Sequence, residues 1–368
     1  MFLEAETSFG VEILQQFPLN ESFVFSPVSI ALALSLVHVG AKGETKTQIA
    51  NAICKGSNDD QLKQHYGFLS NSLMSAHENI EINLANKAFL NKKYPIKKSY
   101  LEAISKAYNA SAQNLDFSQS AKSAGIMNDF VSENTQGRIQ KLIDESEVSD
   151  AGAAFLINAL YLNAPWENEF MRYMTYPDGV FDVRPGVTKK VIYIQNTEVN
   201  QDYVENDEVQ VLSLSFKNQD YRFNIFLPKE KYGLEKFVKG LTGAKVQEML
   251  GKMKSTLVNV RMPRMKVETT KRLNDLLKAV GIKKVFETDA DLSELAEFPT
   301  YVSNVKHKAT LELDESGVVA SAATSVEMLA GAAPPDENAP KPIEFEADHS
   351  FFFALTFNNH PLFIGTFM

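Results

Sequence analysis

A single cysteine stands in a chain of 368 residues, so no intramolecular disulfide can form and a thiolate-rich zinc site is excluded. A buried, inert thiol is the simplest role for Cys54. Cations are also in short supply, with Lys and Arg totalling 37 against 46 Asp and Glu. A formal charge of -9 argues against a general nucleic-acid binder, because phosphate binding needs clustered Lys and Arg. No run of 18 apolar residues is present, so no segment reads as a membrane-spanning helix and no membrane partner is expected. Catalytic signatures are missing too: there is no Gly-x-Ser-x-Gly elbow, no His-Glu-x-x-His and no phosphate loop. An enzyme is therefore not expected, and no residue is assigned to a cofactor or a metal. The start, Met1-Phe2-Leu3-Glu4-Ala5-Glu6, lacks the basic and apolar parts of a signal peptide. That pattern suits a cytoplasmic protein or a mature secreted chain; an extracellular place is preferred, with a cytoplasmic one as the alternative. Asn20-Glu21-Ser22 and Asn109-Ala110-Ser111 are glycosylation triplets of a kind that also arises by chance.

What is present reads as a globular chain without repeats or linkers, taken as a single domain over residues 1–368. Glu4–Gln16 has apolar residues at helical spacing. Ser26-Pro27 opens a second helix, with Ser26 as N-cap and Pro27 in the first turn. That helix is apolar on nearly all sides up to Gly40 and should be buried. Helical patterns continue to about residue 78, from Lys98 to Ala112 and from Asn128 to Ile143. Ile80–Leu90 alternates like a strand, and Ala153–Leu162 is an apolar run suited to a strand covered on both faces. Strands dominate from Lys189 onward, notably 209–216, 221–227 and 256–262, interrupted by a helix over Leu273–Val280 that ends at Gly281. Phe351–Phe357 and Leu362–Phe367 read as two strands joined around Asn358-Asn359. Helices mostly first and strands mostly second suggest an α+β protein with large sheets.

One segment is unusual. Lys308–Leu313 alternates as a strand and ends at Asp314-Glu315-Ser316-Gly317. The following residues place Val318, Ala320, Ala322, Thr324, Val326 and Met328 on one face, and Val319, Ser321, Ala323, Ser325 and Glu327 on the other. Then come Gly331 and Pro334, Pro335, Pro340 and Pro342, which exclude a sheet interior and mark an exposed loop. Pattern alone would accept an ordinary strand followed by a surface loop.

A series of segments in order along the whole chain resembles the serpin family. They are Phe25–Ile30, Gly40–Thr45 with Gln48-Ile49, Leu115-Asp116-Phe117, Asn134–Ile139, and Asn158-Ala159-Leu160-Tyr161 with Trp166. Pro263-Arg264-Met265, Val280-Gly281-Ile282, Ala290–Ser293, His307-Lys308-Ala309, Glu315–Thr324 and Pro361–Gly365 continue the series. The resemblance implies one α+β domain of three β-sheets and about eight or nine helices, with an exposed reactive-centre loop over about 315–343. It implies a suicide substrate for serine proteases: a covalent acyl complex forms at a bait bond, and the cleaved loop then enters the main sheet as an extra strand. A monomer is expected.

The same resemblance assigns a hinge to Glu315, Gly317, Val318, Val319, Ala320, Ser321, Ala322, Ala323 and Thr324. It assigns a polar "shutter" beneath the sheet to Ser26, Ser29, Asn158 and His307, and a "breach", where insertion begins, to Trp166. For His307 the plainer role is a satisfied core histidine. The reactive bond falls between Gly331 and Ala332, with Met328, Leu329 and Ala330 as alternatives because this loop is longer than is common. All suit an elastase-like or chymotrypsin-like pocket, and the absence of Arg from the loop argues against trypsin-like targets. Asp336 and Glu337 are read as solvated loop charges rather than an exosite. Heparin activation is not expected, since Asp59–His77 holds one Lys and no Arg. A non-inhibitory serpin, acting as chaperone or carrier, is the alternative; small, uncharged inward hinge residues weigh against it. Val318 and Val319 stand where the family often has Thr and Glu, and Ser350 replaces a common proline. The chain stops at Met368, slightly early for the pattern, which leaves open whether its ends are native or trimmed.

Overall fold

The computed structural model describes residues 2–75, 78–318 and 341–368. Nine α-helices lie among them: α1 (Phe2–Leu14), α2 (Pro27–Gly40), α3 (Gly43–Cys54), α4 (Asp59–Met74), α5 (Lys98–Tyr108), α6 (Ser120–Asn134), α7 (Leu234–Gly240), α8 (Gly243–Gly251) and α9 (Asn274–Ala279). Their N-terminal clustering and the later run of strands give the expected α+β order.

The sheet that matters for function has the order β10 (Met265–Arg272), β11 (Asn304–Leu313), β12 (Gly317–Val318), β4 (Ala154–Pro165), β2 (Glu81–Asn91), β3 (Ala112–Leu115). The apolar run seen in the sequence is β4, buried along nearly its whole length and therefore central. Its N-terminal half lies over the start of α2, where the Ser26 hydroxyl accepts the Ser29 N–H and Pro27 occupies the first turn. Among its fourteen residues only Val39 is not buried, as an apolar circumference requires.

The remaining strands form one hydrogen-bonded path, β1 (Phe23–Phe25), β15 (His360–Phe367), β14 (Phe351–Phe357), β8 (Tyr221–Pro228), β7 (Val209–Ser215), β6 (Val187–Glu205), β9 (Lys254–Pro263), β13 (Ile343–Glu346), with β5 (Tyr176–Arg184) also on β6. Two smaller sheets were expected here. They are joined because β6 runs for 19 residues, about 60 Å of extended chain, and serves both halves. A bulge between Asn196 and Val199, with Glu198 at a φ of 53°, turns the strand from one half to the other without breaking it. The β14–β15 turn matches its sequence signal: Asn358 and Asn359 both take positive φ, as a two-residue hairpin turn requires.

One helix is displaced from its expected place. Apolar spacing suggested 128–143, whereas α6 is Ser120–Asn134. Gln136 and Gly137, with φ of 50° and 76°, turn the chain back on itself. The Asn128 side chain then holds the returning segment, accepting from the N–H groups of Leu142 and Ile143 and donating to the Ile143 carbonyl at 2.8–2.9 Å. Ile139, Leu142 and Ile143 are buried by this fold-back, which produces a helix-like apolar pattern without a helix.

Candidate functional site

Strands β11 and β4 pair in parallel only from Asn304↔Phe155 to Ala309↔Leu160. Above that point β11 stays with β10 and β4 stays with β2, and the two inner strands part. Thr310–Glu312 and Tyr161–Asn163 carry no ladder pairing on the edges that face each other, among the described residues. At the top of this wedge sits β12, where Val318 pairs with Leu313 of β11 and Ala164 of β4, antiparallel to both. Among the described residues the main sheet is thus a closed seam below, a wedge without ladder pairing in the middle, and a two-residue strand seated at the mouth.

The closed part is locked by side chains. His307 of β11 lies in register with Asn158 of β4. The His307 Nε2 accepts the Ser26 backbone N–H at 3.1 Å, which leaves the ring proton on Nδ1, and that N–H donates across the seam to Asn158 Oδ1. The Asn158 amide donates to the Ser29 hydroxyl and to Asn86 Oδ1, so its hydrogen-bonding capacity is largely used. Ser26, Ser29, Asn158 and His307 are completely buried. Burial pushes the His307 imidazole down to about 3, so it is neutral at physiological pH. Both its nitrogens are occupied by groups other than a hydroxyl, so this is no nucleophile–base pair.

The mouth is held differently. The Trp166 ring stacks on Phe216, with centroids 4.5 Å apart, and is flanked edge-on by Phe170 and Phe223. Its indole N–H donates to the Asp314 carbonyl, and its backbone N–H to the Ser316 carbonyl, each at 2.9 Å. The Glu315 carboxylate is buried against the Arg264 guanidinium and accepts the Thr175 hydroxyl at 2.6 Å. Burial pushes that carboxyl up, but the bonds from Arg264 and Thr175 outweigh it and hold the group below its ordinary value. Gly317 has a φ of 142°, and a Cβ there would lie 2.2 Å from the Ala164 carbonyl oxygen. No other residue lets the chain reverse so close to β4. Val318 is buried and pairs with Ala164 of β4.

The family described as serpin (serine protease inhibitor) matches residues 4–368. The chain is a serpin. Serpin B3 from Homo sapiens is 32% identical over 387 residues, covering 99% of this chain and 98% of the relative. Antichymotrypsin-2 from Bombyx mori is 29% identical, covering 97% and 94%. Among solved structures, Serpin48 from the insect Tenebrio molitor superimposes with a TM-score of 0.88 at 26% identity, covering 100% of this chain and 97% of that one. The thermophilic serpin tengpin in its native state gives 0.89 at 27% identity, covering 100% and 93%. Membership places the protein with protease inhibitors rather than enzymes.

Residues expected for this serpin's working parts fall into two groups. Ser26, Ser29, Asn158 and His307 come together at the seam, and Trp166, Glu315, Gly317 and Val318 at its mouth. Residues 315–318, expected at the start of the exposed loop, are instead packed into the sheet top, and Ile343 already belongs to β13. Hinge residues Val319, Ala320, Ser321, Ala322, Ala323 and Thr324 and bait residues Met328, Leu329, Ala330, Gly331 and Ala332 lie outside the described residues. Sequence reasoning missed Asn86, Thr175 and Arg264. Arg264 lies in a family-like segment that gives it no role; Asn86 is legible only as a polar residue inside a strand.

Proposed function

We propose that this serpin is an inhibitory suicide substrate whose loop closes the wedge between β11 and β4. The observation that carries the reading is Val318, already paired on both sides as the first residue of an incoming strand. Attack by the protease serine on the bait carbonyl forms an ester while the peptide C–N bond breaks, and the departing amine takes its proton from the protease histidine. The freed hinge then feeds downward from Val318. A strand from there to Gly331 spans about 45 Å, which would draw the tethered protease to the far end of the sheet. Distorting its oxyanion hole would halt hydrolysis of the ester, since losing one such donor costs about 2.7–4 kcal/mol in activation energy.

On this reading insertion is downhill yet delayed. One parallel pairing is exchanged for two antiparallel ones, and loop N–H and C=O groups gain partners on both sides at about 1 kcal/mol net each. Against this stand about 1–2 kcal/mol of ordering per residue and the buried His307–Asn158 bond, which must break as neighbouring strands move apart. Small apolar inward residues therefore decide the sign.

The favoured target is elastase-like or chymotrypsin-like, a reading supported by bait candidates without a basic residue; one relative is named an antichymotrypsin. The protein acts as a monomer of one domain without a heparin cofactor, as the single Lys63 on α4 suggests. Incubation with elastase, chymotrypsin and trypsin tests this. We expect an SDS-resistant complex with one of the first two, and a released peptide beginning within 329–332. Cleavage without complex by all three would instead mean a non-inhibitory serpin.

A further inference from the structure

Three segments distant in sequence converge on one buried carboxylate. Glu6 of α1 is 1% exposed, and its two oxygens face two imidazoles. Oε1 lies 2.6 Å from Nε2 of His65 on α4, and Oε2 lies 2.5 Å from Nδ1 of His360, the first residue of β15. The two imidazole rings are 5.6 Å apart, and the Phe2 ring stacks on His65 at 4.0 Å. One donor atom from each of the three groups falls within 4.8 Å of the others. Both histidine side chains retain partial solvent contact, 15% and 19%. The carboxylate is thus fixed from beneath while the cluster opens outward.

We propose that Glu6, His65 and His360 form a binding site for a divalent cation of the zinc type, with water completing the shell on the solvent side. Each imidazole now places a proton between its nitrogen and the carboxylate. A single cation in place of those protons keeps all three groups paired: each imidazole coordinates through the nitrogen that faces Glu6 and carries its one proton on the other ring nitrogen, and only a doubly protonated ring gives a proton up to solvent. Bonds of about 2.0–2.1 Å put tetrahedral donors about 3.3 Å apart, reached by widening two short contacts and drawing the rings together. Two imidazoles and one carboxylate with an open fourth position suit Zn²⁺, and Cu²⁺ would compete by intrinsic affinity. Ca²⁺ and Mg²⁺ prefer oxygen donors and should not. The bound ion would tie α1, α4 and the β14–β15 turn together. None of these lines the seam, so the clamp holds the body against which the strands move and leaves the loop's path clear.

The test uses the full chain, stripped with a chelator and titrated with ZnCl₂ by calorimetry, with Tm followed in parallel. A His65→Gln/His360→Gln variant keeps the buried Glu6 and changes only partly exposed positions; its protease trapping in chelator serves as the folding control. We expect one ion per chain and a Tm that rises with zinc for the unaltered protein. The double variant should lose more than the about 10–100-fold in affinity that removing an outer partner costs, and its Tm should ignore zinc. A His349→Gln variant, altering a histidine held by Asp348 and the Pro228 carbonyl, should bind normally. Absence of saturable binding, or equal binding by the double variant, would overturn the assignment.

Discussion

His307 carries two jobs that a substitution would separate. Its Nε2 satisfies a buried backbone N–H, and its Nδ1–H bridges the two strands of the seam. Replacing it with Ala orphans Ser26 N–H and Asn158 Oδ1, each worth about 1–3 kcal/mol, so a stability loss of several kcal/mol is expected by denaturant titration. The ring also sets a pH dependence. Its folded value of about 3 lies below the ordinary 6.5, so the unfolded chain binds the proton first. Stability is therefore full above pH 6.5 and falls by up to about 1.4 kcal/mol per unit on acidification towards 3. His38, lowered by burial to about 4, acts in the same direction. Tm measured from pH 7 to 4 should fall, and less steeply in His307→Gln; equal slopes would exclude His307 as a titrating group. Gly317 makes a second residue-scale prediction. Gly317→Ala should push the hinge off β4, lower the fraction of inhibitor trapped as complex and raise the fraction merely cleaved. Ser350 shows how a departure from the family pattern is accommodated, because its N–H donates to Asp182 and its hydroxyl to Val183, the first a bond proline cannot make.

At the level of elements, the proposed mechanism makes one sliding assembly of the seam, the wedge and the hinge. Val318 is buried, and on the proposed insertion the period-2 pattern of the sequence expects Ala320, Ala322 and Thr324 to follow it on one face of the new strand. Ala322→Arg would bury an unpaired charge at a cost of several kcal/mol; on a gel it should convert trapping into cleavage with little change in the rate of bait-bond attack. Arg264→Ala addresses the anchor at the mouth. Glu315 would lose its charged partner while keeping the Thr175 hydroxyl and a backbone N–H, and hinge stability should drop by about 1–3 kcal/mol, less than for a fully buried pair because Arg264 is 41% exposed. Much of this level could be read from the sequence, since β4, α2 and the β14–β15 turn each follow from local patterns. What escaped depended on distant partners. The fold-back after α6 buries apolar residues at helical spacing through a single Asn128, and Glu6, His65 and His360 meet only because three elements converge. The role of Asn86 likewise appears only once β2 lies beside β4.

For the whole molecule, the main sheet is unfinished among the described residues. Closing it adds a strand to the centre, so the cleaved, inserted form should melt well above the intact protein. Equal Tm values before and after bait cleavage would argue that the loop does not enter. The serpin fold itself was recognisable because matching segments lie along the entire chain, whereas the bait bond was not fixed, because loop length rather than local chemistry sets its place.

The wedge at Thr310–Glu312 has a further consequence. An unpaired edge at the centre of a sheet accepts any extended segment of suitable sequence, including the loop of a neighbouring copy. Such a contact is head-to-tail and does not close on itself, so it propagates into linear chains. Gentle heating at high concentration should therefore yield a ladder of oligomers on a native gel, and loosening the His307–Asn158 bond should bring that ladder on at lower temperature.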